Sequence, residues 1–284
     1  MSEGSYARSS GMQVLDALRA QGKRIFTTDD AIRIAGELSV RPTTLRWVLY
    51  ELVRSGWIRR VRRGLYSIDE TDRGGPAPHP FAIATALVEP SAISHWSAMA
   101  YHGLTEQVPQ IITASTPKDV VTPQMRHPGA KYGPANVWAV NHLSIRYIHV
   151  TGEHFWGIEH IWVDEFSRVP ITDRERTVLD GFVSFHIFGS IREVLGTLEE
   201  HIHEINVPHL IAYALKYGQD TTIKRIGYIL DQLHVPSEQL APLAHARKPG
   251  YRLLDPQGPN RGRYISDWQI RDNIGNVEWE APNP

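Results

Sequence analysis

Ten residues in two short stretches have the types and spacing to hold a polyanion. Arg59, Arg60, Arg62 and Arg63 place four guanidinium groups within five positions. Just before them, Thr43, Thr44, Arg46, Trp47, Tyr50 and Arg54 recur at helical spacing. A guanidinium neutralises phosphate and can fork onto the edge of a guanine, while hydroxyls and aromatic rings meet backbone and base. The chemistry is that of gripping duplex DNA, with cations for the phosphates and helix side chains for the base edges. A basic run is also what an ordinary solvated surface carries, so the elements around these residues have to decide.

Those elements read as a winged helix-turn-helix over residues 28–68. A first helix is expected from Thr28, whose hydroxyl can cap the first turn, with Asp29 and Asp30 at the positive end of the helix. A tight turn is expected at residues 37–41. A second helix then starts at Pro42, which loses no hydrogen bond at the first helical position. Leu45, Val48, Leu49 and Leu52 fall at i, i+3, i+4 and i+7 and form one stripe for burial. That turns Thr43, Arg46, Trp47, Tyr50 and Arg54 onto or beside the opposite face. Gly56 can close the helix with positive φ. Two strands are expected at 57–61 and 65–68, joined through Arg62-Arg63-Gly64, so that the hairpin forms a basic wing. A reading helix beside a basic hairpin is the docking geometry of a major-groove binder.

Other constellations fit enzymes less well. All 14 histidines lie beyond residue 78. His201, His203 and Glu204 form H-x-H-E, and His154 and His160 flank FWGIE. Positions two apart on a helix do not share a face, so the plainer reading is structural or surface histidine. Ser94, His95 and Ser97 offer a nucleophile and a base without a nucleophile elbow, and Ser94 is better placed as a helix cap. Asp173, Glu175 and Asp180 could gather a nuclease metal, but Asp173 and Glu175 equally suit a helix start. Phosphate-binding glycine loops are absent from the sequence, which leaves nucleotide cofactors unsupported. The expectation is a protein without catalysis, metal or cofactor.

Composition bounds the rest. The chain has 284 residues and a formal net charge of −1, but the charge is split. Residues 1–68 carry 12 Lys and Arg against 6 Asp and Glu, and the remainder carries 18 against 25. Affinity for polyanions is therefore expected only at the N-terminal end. No apolar run approaches the roughly 20 residues that a membrane helix needs, and the N-terminus lacks a signal-peptide pattern. Absence of cysteine fits a cytoplasmic protein with no disulfides.

The fold class expected is α+β. A winged helix occupies residues 1–72, flexible over 1–10, with a leading helix around Met12–Leu18 closed by Gly22 and a first strand at Ile25–Phe26. A semi-rigid Gly/Pro linker spans 73–80. A larger mixed domain over 81–234 begins with helices at 81–89 and 93–102. It continues through a strand at 110–114, an irregular excursion over 116–144, and strands at 143–150, 160–163 and 167–170. It closes with a helical bundle in which Thr172 caps a helix from Asp173 and helices follow at about 189–202, 207–217 and 221–233. A loop-rich tail over 235–284 is expected to pack on that domain, because Trp268 and Trp279 would be costly to leave in water.

The segment HPFAIATALVEPSAISHWSAMAYHGLTEQVPQIITASTPK, residues 79–118, resembles the AbiEi antitoxin family. The specific part is I-S-x-W-S-A-x-x-Y-H-G-L-T-E-Q-x-P, standing at Ile93–Pro109. Weaker similarity follows at 155–163, 169–180, 211–218 and 224–233, and LLDP at 253–256 with Trp268 is similar too. The resemblance implies an antitoxin of an AbiE-type toxin–antitoxin system associated with phage defence. Its winged helix would bind inverted repeats in the operon's own promoter and repress it. Its C-terminal domain would neutralise a nucleotidyltransferase-like toxin, directly or indirectly. Within Y-H-G-L, Tyr101 and His102 could serve partner or RNA contact, although Trp96, Met99 and Leu104 have the spacing of a packed helix. A ligand-sensing transcriptional regulator and a metal-dependent restriction-like nuclease targeted by its winged helix are the alternatives.

Overall fold

A computed structural model describes residues 3–69, 71, 76–126, 136–140 and 142–274. The chain begins with α1 (Glu3–Ala20), β1 (Ile25–Thr27), α2 (Thr28–Glu37), α3 (Pro42–Arg54), β2 (Ile58–Arg62) and β3 (Leu65–Ile68). It continues with α4 (Pro80–Leu87), β4 (Ala92–Ile93), α5 (His95–Tyr101), β5 (Ile112–Thr116), α6 (Pro123–Arg126), β6 (Val137–Val140) and β7 (Leu143–His149). After β8 (Ile158–Trp162) and β9 (Arg168–Thr172) come α7 (Arg174–Val183), α8 (Ile191–His201), α9 (Val207–Tyr217), α10 (Asp220–Gln232) and α11 (Ser237–Ala246). The last elements are β10 (Arg252–Leu253), β11 (Arg263–Ile265) and β12 (Ile270–Asp272). The class is α+β. The chain forms two compact units that interleave along the sequence: residues 1–93, 114–150 and 160–171 in the first, and 94–113, 151–159 and 172–284 in the second.

In the first unit, α1 to β3 fit a winged helix-turn-helix. Thr27 rather than Thr28 caps α2. Thr27 is the last residue of β1 and keeps extended backbone, φ −88° and ψ 166°, so its hydroxyl accepts from the Asp30 amide while Asp30 accepts from the Thr27 amide. Ser39, at φ 56°, makes the turn into α3. Pro42 opens α3, and Leu45, Val48, Leu49 and Leu52 are all buried against Leu15, Leu18 and Ile34. The leading helix is longer than expected and already runs from Glu3, where flexibility was anticipated. Gly11 of α1 faces Leu52 and Val48 of α3. The hairpin β2–β3 is antiparallel, with β1 added beside β3, and a register shift between Arg60 and Arg62 makes a bulge at Val61. Gly64, at φ 79°, completes the tip. The basic strand begins at Ile58, and Arg62 belongs to it instead of the turn.

The first unit also carries the six-stranded sheet, of order β6-β7-β5-β4-β9-β8. Here the expected helix at 93–102 is corrected. Ile93 is in β4, opposite Ala114 of β5 and Ile171 of β9, and the helix starts at His95. Two apolar side chains, Ala92 and Ile93, are fully buried in the sheet, which outweighs local helix propensity. The excursion over 116–144 is partly regular, holding α6 and the β6–β7 pair; residues 127–135 and 141 lie outside the described residues.

The second unit is mostly helical. Phe182, Phe188, Leu195, Leu210, Ile226 and Leu230 sit at the centre of its core. Asp173, not Thr172, caps α7 by accepting from the Arg176 amide, and the Thr172 hydroxyl bonds Thr177 Oγ1 at 2.8 Å. The tail is more regular than expected. It contains α11, which runs through Pro242, and a three-stranded sheet β10-β12-β11. Trp268 is buried with its ring against Gly227 of α10 and its indole N–H donating to Asp231 at 3.0 Å. Trp279 lies outside the described residues.

Candidate nucleic-acid interface

The outward face of α3 carries Thr43, Arg46, Trp47 and Tyr50 in solvent, with Trp47 39% and Tyr50 59% exposed. Thr44 is half-buried at the edge of that face. Arg54 is exposed in the last turn and pairs with Glu51 at 3.2 Å. Because α3 packs on β2, helix face and wing belong to one body. The exposed surface of α3 is aromatic as well as cationic.

The four wing arginines divide into two kinds. Arg60, Arg62 and Arg63 are all exposed, and among the described residues Arg60 and Arg63 make no ion pair. Arg59 is engaged with Asp69 at 2.7 Å. Burial would raise the Asp69 carboxyl, but hydrogen bonds from Thr71 and the charges of Arg59 and His142 hold it below the usual carboxylate range. Arg62 donates from Nε to the Leu87 carbonyl and from Nη1 to the Arg63 carbonyl, each at 3.2 Å. Nothing in the spacing of the basic run distinguishes these four. Asp69 and Leu87 lie 10 and 25 positions along the chain from their arginines.

Sequence reasoning passed over Arg41, which is exposed at the position preceding α3, where the helix has no side-chain cap. A cation beside the N-terminus of α3 lies at the positive end of the helix and can add to its attraction for an anion; the signal was its place one residue before Pro42. Asp30 is held low despite burial by hydrogen bonds from Lys23 and Thr27, so the start of α2 is locked.

The other candidate residues are spread among separate partners. His201 Nδ1 lies 3.1 Å from Glu204 Oε1, and His203, although largely exposed, has its Nε2 3.9 Å from the same oxygen. His154 stacks on Tyr217 at 4.1 Å. No group of three or more metal-capable side chains gathers among the described residues. Asp173 caps α7, Glu175 accepts from the Asn206 amide, and buried Asp180 pairs with buried Arg176 at 2.9 Å. Ser94 stands at the cap position of α5 but makes no side-chain cap; its hydroxyl is 2.9 Å from His95 Nδ1, and both residues are buried. Ser97 Oγ accepts from the Thr113 amide. Met99 and Leu104 are core residues, Trp96 is half-buried, Tyr101 is exposed, and His102 Nε2 meets the Thr172 carbonyl at 2.7 Å.

No helix among the described residues is long and apolar enough to cross a membrane. No curated protein matches the chain. Among solved structures, the crystal structure of RV2827C protein from Mycobacterium tuberculosis matches 92% of this chain and 90% of that chain at 16% identity, with a TM-score of 0.60. At that identity the likeness is one of fold. Residues 13–68 match the family model described as "Transcriptional regulator, AbiEi antitoxin". The match spans α1 to β3, the same elements that present the outward face of α3 and the wing, so the similarity to a transcriptional regulator of the AbiEi antitoxin family lies in this N-terminal region.

Proposed function

We propose that the chain is a non-enzymatic, cytoplasmic antitoxin and autorepressor. The reading helix and wing bind inverted repeats in the promoter of its own operon, and the rest of the chain counters a nucleotidyltransferase-like toxin. One observation carries the DNA part: Thr43, Arg46, Trp47 and Tyr50 face solvent on α3 beside exposed Arg60 and Arg63 on a wing of the same body. The match of residues 13–68 to the family model supports the regulator and antitoxin parts. The test is direct. Full-length protein should retain a duplex taken from upstream of its own reading frame in a mobility-shift experiment, against scrambled competitor. It should also restore survival to cells expressing the neighbouring toxin gene. Failure of retention defeats the repressor, and failure of survival defeats the antitoxin.

A cleft of about 230 Å³ favours a second reading, a regulator that responds to a small ligand. Arg24, Pro76, Pro78, Asp164 and Phe166 line it, and the Arg24 guanidinium lies over the Phe166 ring at 4.4 Å. A ligand that releases the promoter duplex, and loses that effect in Phe166→Ala, would support this reading.

A further inference from the structure

The C-terminal turn of a helix leaves its last carbonyls without intrahelical partners. In α4 those carbonyls belong to Ala84, Thr85, Ala86 and Leu87, and side chains from three different places fill most of the gap. Tyr147, on β7, donates its hydroxyl to Ala84 at 2.6 Å. Ser91 donates to Thr85 at 3.5 Å. Arg62, on the wing strand β2, donates Nε to Leu87 at 3.2 Å. Helix α4 also packs on β1 and β2. A cation at the negative end of a helix gains from the macrodipole as well as from the hydrogen bond. Arg62 leaves its strand one residue after the bulge at Val61, which re-aims the side chain.

We propose that the C-terminal turn of α4 is the anchor that sets the position of the wing, with Arg62 holding it from the wing side and Tyr147 from the sheet side. Arg62 is then a positioning residue and not a phosphate contact, whereas Arg60 and Arg63 carry the phosphates. The inference rests on the DNA-binding reading for its consequence, not for its geometry.

Arg62→Gln separates position from charge, because glutamine carries a nitrogen donor the same number of bonds from the backbone as arginine Nε. Full-length variants are compared by anisotropy of a fluorescein-labelled duplex from upstream of the chain's own reading frame, across a salt series. Hydrogen exchange over residues 58–68 is followed in parallel without DNA. Arg62→Ala should bind roughly tenfold more weakly, with the slope of log K against log salt unchanged. Arg62→Gln should bind nearly as wild type. Arg60→Ala and Arg63→Ala should each lower the slope by about 0.9. Tyr147→Phe should weaken binding several-fold at unchanged slope, and wing exchange should quicken in Arg62→Ala and Tyr147→Phe but not in Arg62→Gln. A slope lowered by about 0.9 in both Arg62 variants would make Arg62 a phosphate contact and overturn the proposal. Wing exchange that is unchanged in Tyr147→Phe would overturn it too. If wild type binds no duplex, the DNA reading falls alone, and the exchange experiment still decides the anchor. If Arg62→Ala does not fold, Arg62→Gln and Tyr147→Phe decide it.

Discussion

Arg46 stands alone among the arginines of α3 in being exposed on its first two turns, the part of a reading helix that approaches base edges. Arg46→Ala should cost roughly 1–3 kcal/mol at one base pair of the operator and much less elsewhere. Affinities across single-base variants check this; equal weakening at every variant would make Arg46 a backbone contact. A second residue-scale expectation concerns His95. Burial holds its imidazole below the ordinary value of 6.5, Asp180 opposes this, and Arg176 and His186 add to it. The folded protein therefore keeps His95 neutral, while the unfolded chain takes up a proton as pH falls below 6.5. Stability from this group is complete above that value and is lost on acidification towards the depressed one. His95 has φ 53°, which asparagine tolerates, so His95→Asn is the fitting control. Thermal melts at about pH 7.5 and about pH 5.5 should show a smaller acid loss in the variant. Which residues matter at this scale was legible only in part. The outward residues of α3 follow from periodicity, but the partners of Arg59 and Arg62 do not, because an acceptor made by folding has no sequence spacing. The caps at Thr27 and Asp173 were each placed one residue off for a related reason. Between adjacent candidates, the backbone angle set by the preceding strand chooses.

Elements with strong period were easy to read, and those decided by distant partners were not. Helices α3, α9 and α10 lie close to where their apolar stripes put them. Ile93 passed for a helix residue because its strand is two residues long and gains its stability from Ala114 and Ile171. The tail passed for loop because Pro236 and Pro242 read as breakers, yet Leu240 and Leu243 bury α11. Gly227 shows how packing can reverse propensity. Glycine to alanine inside a helix ordinarily gains about 1 kcal/mol. Here the new Cβ would stand 2.0 Å from the Trp268 ring. Overpacking of that kind costs typically 1–3 kcal/mol, so Gly227→Ala should lower the denaturant midpoint despite the better helix former. In a Trp268→Ala background the clash is gone and the same change should become neutral or favourable. If Gly227→Ala raised the midpoint in the native background, Trp268 would not be seated on α10.

For the whole molecule, the charge split was legible from composition: the basic excess lies in the part that matches the regulator family, and the acidic excess lies elsewhere. Composition could not show that the two compact units exchange segments. Separate tasks are nevertheless expected to respond to separate substitutions. A full-length Arg46→Ala, Arg60→Ala, Arg63→Ala triple variant should lose repression of a promoter–reporter fusion while still protecting cells from the toxin. Equal loss of both, in a variant whose circular dichroism and melting match wild type, would place the winged helix inside the antitoxin action. The interleaving also bears on biosynthesis. The winged-helix cluster is complete once Ile68 is made, whereas the first unit awaits β9 and the second awaits Trp268, Ile270 and Ile274. A nascent chain can therefore bury the apolar cluster of its winged helix on the ribosome well before its helical core is covered, while the wing still awaits α4 and Tyr147. During that interval the apolar faces of α9 and α10 that Trp268, Ile270 and Ile274 will cover stand open, and a message cut short before codon 268 would leave a buried winged-helix cluster joined to an uncovered helical core.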